Sequence, residues 1–135
     1  VLAAAGLNRL GLAPDDVVPL EVTVCVPAPG QGALALEGCA DRPELTAATA
    51  MLDDAATRAC LESERAVLAG LGGGCREPIG AIAVTADSGT SLEVFAASGD
   101  ERRHTRQSAR LQGDAVAREM AIGTLVASVA RAIAG

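Results

Sequence analysis

Between Ile79 and Leu111 the chain reads as three strands joined by two short turns, and no other feature constrains the fold so strongly. Residues 79–86, IGAIAVTA, form an apolar run suited to a strand, and Asp87-Ser88-Gly89 turns the chain. Residues 91–97, SLEVFAA, alternate as a second strand, and Ser98-Gly99-Asp100 makes a second turn. Residues 103–111 give a third, more polar strand with one face in solvent. Connections this short allow only antiparallel neighbours, so the three strands form a meander. The apolar face of so small a sheet needs cover from helices.

The flanking sequence supplies them. Asp53 or Asp54 can cap a helix that runs to about Leu71, with Ala56, Cys60, Val67 and Leu71 near one face. Arg58, Glu62 and Arg65 share another face, and Gly72-Gly73-Gly74 ends the helix. Residues 44–52 are Ala-rich and helical, and Asp114 caps a last helix to about residue 132. Its apolar stripe contains Val116, Met120, Leu125, Val129 and Ile133. The expected class is α+β, a small three-stranded antiparallel sheet with helices packed on one face.

The residues before this unit read differently. Residues 2–10 suggest the end of a helix with Gly11 as its C-cap, and Pro14-Asp15-Asp16 a turn. Residues 20–26 can form a short strand, and residues 27–32 a rigid, then permissive, loop. Residues 33–37 fit a buried strand or a helical turn equally well. The polar stretch 38–43 reads as a linker. The expected domains are therefore 1–43, an incomplete piece of neighbouring domains, and 44–135, a unit with its own core.

Composition excludes several functions. Phe95 is the single aromatic residue, so stacking platforms for nucleobases are missing. All eleven basic residues are Arg, which removes a Schiff-base lysine and a phosphate-loop lysine from this chain. A net charge of −6 gives no general attraction to nucleic acid or anionic membranes. Cys25, Cys39, Cys60 and Cys75 form no CxxC pair and the chain has one His, so a zinc site is not expected. The expectation is four free thiols in a reducing cytoplasm. Residues 1–12 lack the basic leader of a signal peptide and read as a start in mid-protein.

The chemistry concentrates in residues 64–80, ERAVLAGLGGGCREPIG. Three glycines in a row are costly in chain entropy, and their usual uses are special backbone angles or close approach of a ligand. Cys75 follows them, and Pro78 fixes the exit into the first strand. Arg76 would favour a thiolate at Cys75, whereas the negative end of the preceding helix would oppose it. From the residues alone, a plain C-cap followed by a small residue in a turn remains open. A phosphate loop does not fit, because the glycines follow a helix instead of opening one.

Glu64-Arg65, Leu71, Gly73-Gly74-Cys75, Pro78-Ile79 and Gly80 resemble the signature of the porphobilinogen deaminase (hydroxymethylbilane synthase) family. Pro29-Gly30-Gln31-Gly32-Ala33 with Glu37 is similar to a second segment of that family, and residues 2–12 to a third, all in family order. Glu77 departs from the pattern, in which a small or aliphatic residue precedes the proline.

The resemblance implies a transferase of tetrapyrrole and heme biosynthesis that condenses porphobilinogen into a linear tetrapyrrole with release of ammonia. It implies a dipyrromethane cofactor held by a thioether to Cys75, with Gly74 and Arg76 beside it, and Gln31 as a substrate contact. No catalytic residue and no metal ligand are expected within this chain. The family's acid/base carboxylate and most of its carboxylate-binding cations would lie in N-terminal domains absent here, so this segment alone would be inactive. The full enzyme is expected to be a cytoplasmic monomer without nucleic-acid or membrane partners. The alternative class is a non-enzymatic α+β ligand-binding or oligomerisation module that uses the glycine loop as a hinge.

Overall fold

A computed structural model describes residues 1–12, 17–74 and 77–134. In chain order the elements are α1 (Ala4–Arg9), α2 (Pro43–Ala50), α3 (Ala55–Gly70), β1 (Ile79–Ala86), β2 (Gly89–Ala97), β3 (His104–Leu111) and α4 (Ala115–Ala134). The strands form one antiparallel sheet in the order β1-β2-β3, an α+β arrangement. The register places Ala83 opposite Leu92 and Leu92 opposite Ala109. Strand side chains alternate between faces. Ala81, Ala83, Leu92, Val94, Ala96 and Leu111 therefore share one buried face.

α3 lies on that face over β1, and α4 lies over β3. Val67 of α3 and Leu125 and Val129 of α4 complete the core. Among the described residues only these two helices pack on the sheet; α1 and α2 contribute no buried residue. Leu45 of α2 is exposed, as are Leu2 and Leu10 on either side of α1.

Helix ends follow the sequence signals. Asp54, not Asp53, caps α3, its Oδ1 accepting from Thr57 N at 2.7 Å. Asp53 instead pairs with Arg58. Asp114 Oδ1 accepts from Ala117 N at 2.9 Å at the start of α4. Gly11 has φ +66°, and Leu12 N donates to Leu7 O while Gly11 N donates to Asn8 O. Those two bonds are the Schellman closure that a glycine permits.

Two expectations are corrected. Residues 20–26 form a turn instead of a strand, with Val24 N and Cys25 N both donating to Glu21 O. Val116 and Met120 are exposed, because the buried stripe of α4 runs through Ala121, Ile122, Leu125, Val126, Val129 and Ile133. Arg103, just before β3, braces the carboxyl end of α4. Its Nε and Nη2 donate to the carbonyls of Ile133 and Ala134, each at 3.2 Å. A cation at a helix carboxyl end satisfies orphan carbonyls and suits the dipole.

Three outward N–H groups along the open edge of β1 find acceptors. Ile79 N donates to Glu77 O, Ala81 N to Pro27 O and Ala83 N to the Glu64 carboxylate. Satisfying outward N–H groups removes a template for edge-to-edge pairing. Among the described residues, no helix is long and apolar enough to cross a membrane.

Candidate functional site

The glycine run after α3 divides into three different cases. Gly72 has φ +68° and closes α3, with its N donating to Ala69 O and Gly73 N donating to Leu68 O. It is the left-handed residue that a Schellman end requires. Gly73 is required by crowding: a Cβ there would stand 2.5 Å from Ile79 Cδ1 and 3.1 Å from Leu68 Cδ1. Gly74 has neither reason. Its φ is not positive, and among the described residues a Cβ would meet nothing within 4 Å. It is exposed, and its carbonyl accepts from Glu77 N at 3.1 Å. Cys75 and Arg76, the expected anchor and its neighbour, lie outside the described residues.

The second loop, residues 28–33, is bonded to itself. Gln31 N donates to Ala28 O at 3.0 Å, Ala28 N donates to Gln31 Oε1 at 3.1 Å, and Ala33 N donates to Gly30 O at 3.1 Å. Gly30 takes φ +73° and abuts Leu61 of α3, whose Cδ1 would lie 2.8 Å from an added Cβ. Gln31 is exposed, and its Nε2 has no acceptor among the described residues. Its carbonyl oxygen thus serves the turn, while its two amide hydrogens face outward without a partner among the described residues.

Glu64 joins this loop to the sheet. Its Oε2 accepts from Gly30 N at 2.7 Å and its Oε1 from Ala83 N at 2.8 Å. Among the described residues Glu64 bonds two backbone N–H groups and forms no ion pair. The signal was present: Glu64 follows Cys60 by four residues and precedes Val67 by three, so an acid sits in the apolar stripe of α3. A carboxylate there must find donors.

Gln31, Glu64, Cys60, Pro27 and Ala83 line a cleft of about 610 Å³ between the loop, α3 and the β1 edge. Gly74 is not among its described lining residues, so the structure does not bring Gln31 and Gly74 into one cleft. The other thiols are distinct in setting. Cys25 and Cys39 are exposed, while Cys60 is half-buried with Sγ 3.4 Å from Thr85 Oγ1. The hydrogen bond to Asp41 pushes the Cys39 thiol up, which disfavours a thiolate. Among the described residues, no cluster of His, Cys, Asp or Glu could hold a metal ion.

Comparison with known proteins adds the following. Residues 58–132 match the family model described as "Porphobilinogen deaminase, C-terminal domain". Residues 1–47 match "Porphobilinogen deaminase, dipyromethane cofactor binding domain". Porphobilinogen deaminase 1 of Streptomyces coelicolor is 52% identical over 95 residues, covering 70% of this chain and 30% of that protein. Porphobilinogen deaminase of Bordetella parapertussis is 42% identical over 127 residues, 89% of this chain and 40% of the relative. The relative from Roseiflexus castenholzii is 51% identical over 84 residues, 62% of this chain and 28% of its own length. The chain therefore spans well under half the length of these relatives.

Proposed function

The chain belongs to the porphobilinogen deaminase family, and from that premise we propose that it works within a longer hydroxymethylbilane synthase. That enzyme condenses porphobilinogen into a linear tetrapyrrole with release of ammonia, in the cytoplasm and as a monomer. The observation that carries the reading is the family match over 58–132, which contains the glycine loop and favours an enzyme over a hinge-like binding module.

Within it, residues 44–135 are the cofactor-carrying domain, and residues 1–43 belong to the domains that precede it. Cys75 holds the dipyrromethane, since a thiolate is the side chain best suited to capture an electrophilic carbon. When bound, that group supplies a covalently held primer for chain growth. The place of Gly74 supports this assignment, because no described residue crowds a side chain there. Glycine at that position leaves clearance beside the anchor. Arg76 meets a carboxylate of the cofactor by a charge-assisted bond. Gln31 turns its free amide hydrogens to a substrate carboxylate, its carbonyl being occupied by Ala28 N. The acid/base groups lie outside this chain, so the 135-residue segment by itself does not turn over its substrate.

The experiment is to supply porphobilinogen to the full-length enzyme that contains this segment, and separately to the segment. The full enzyme is expected to release ammonia and a linear tetrapyrrole, and the segment neither. A full-length enzyme that leaves porphobilinogen unchanged would refute the proposed reaction.

A further inference from the structure

The self-bonded loop 28–33 has a single hydrogen-bonded tether to the rest of the described structure, the bond from Gly30 N to Glu64 Oε2. The neighbouring segment is held separately. Pro27 O accepts from Ala81 N at 2.9 Å, Arg106 Nη2 donates to Val22 O at 2.7 Å, and Arg106 Nη1 donates to Thr23 O. None of these reaches residues 28–33. Because Gln31 bonds Ala28 through both its main chain and its side chain, the turn moves as one piece. The position of Gly30 therefore fixes the position of the Gln31 amide.

A carboxylate only accepts, and it has two oxygens. Here each oxygen takes one backbone N–H, one from the loop and one from the edge of β1, while the side chain belongs to α3. Bonds to an ionised acceptor are roughly twice as strong as neutral ones, and this pair is half-buried. Resting on the proposed function, we infer that Glu64 is a positioning residue: through Gly30 it holds the Gln31 amide at a set place against α3 and β1, where the substrate meets it.

Glu64→Gln tests this in the full-length enzyme. The amide keeps the size of the side chain but has one acceptor oxygen, and it presents hydrogens where the second oxygen stood. It cannot serve both donors. Amide exchange should quicken at least tenfold at Gly30, while the amides of Leu92 and Val94 keep their protection. In kinetics, Glu64→Gln and Gln31→Ala should each raise the KM for porphobilinogen, roughly three- to tenfold. The double variant should be no worse than the worse single, because both changes act through one contact.

Unchanged exchange at Gly30 would overturn the tether. Loss of protection at Leu92 and Val94 would make Glu64 a general support of the fold and overturn the positioning role, as would KM effects that multiply in the double variant or do not occur. A wild-type enzyme that ignores porphobilinogen would sink the proposed reaction instead, and the exchange measurement would still judge the tether.

Discussion

Gly80 faces Val26 so closely that a Cβ on Gly80 would lie 2.7 Å from the Val26 carbonyl oxygen. The contact is backbone to backbone, so no side-chain rotation relieves it. It lets the chain before α2 cross β1 within reach of Ala81 N and Arg106.

Gly80→Ala is therefore expected to destabilise the protein by about 1–3 kcal/mol, the usual range for overpacking. Chemical denaturation of this chain gives the magnitude. Amide exchange gives the location, with protection lost first at Ala81, whose partner is Pro27 O. A wild-type midpoint with unchanged exchange at Ala81 would contradict the close crossing.

The three glycines after α3 predict a graded series. Gly72→Ala forces an L side chain into φ +68° and should cost about 1–2 kcal/mol. Gly73→Ala drives a methyl against Ile79 and Leu68, whose side-chain ends can yield, and should cost about 1 kcal/mol. Gly74→Ala should change stability by less than about 0.5 kcal/mol, having open space and an ordinary φ. Urea midpoints of the three variants check the order. A Gly74→Ala variant as unstable as the other two would show that the fold does require that glycine.

Acid should weaken the start of α3. The Thr57 N–H, and after it the Thr57 hydroxyl, hold the Asp54 carboxyl below the ordinary carboxylate value. A lowered folded value means that this contribution is present above the unfolded pKa, about 3.9, and is lost as pH falls through the lowered value. Asn caps a helix as well as Asp but does not titrate in this range. Asp54→Asn should match the wild type near neutrality and lose less stability on acidification, whereas Asp54→Ala should be weaker at neutral pH. Thermal midpoints from pH 7 to pH 3 compare them; parallel curves for wild type and Asp54→Asn would rule out the titrating cap.

The sheet and its two covering helices were legible in the sequence because their signals are local. Alternation over residues 91–97, two turn triplets and the acidic cap before α3 each act within a few residues. Residues 20–26 misled because Val and Thr favour strands only where a partner strand exists, and here Glu21 O gathers two amides into a turn. Val116 and Met120 have the right spacing, but they lie in the first turns of α4, ahead of the stripe that meets the core from Ala121 onward. In the candidate site, Gln31 and the glycines were legible as motif residues. The double acceptor role of Glu64 depends on Gly30 and Ala83, which lie 34 and 19 residues away, and no local pattern encodes that meeting.

The central claim is that Cys75, alone among the four cysteines, carries the cofactor. Intact and peptide mass spectrometry of the full-length enzyme, with an Ehrlich colour test for dipyrromethane, measures it directly. The expected result is one added dipyrromethane on the Cys75 peptide, lost in Cys75→Ser and retained when Cys25, Cys39 or Cys60 is changed singly to Ala. An adduct on Cys25, Cys39 or Cys60, or one that persists in Cys75→Ser, would contradict it.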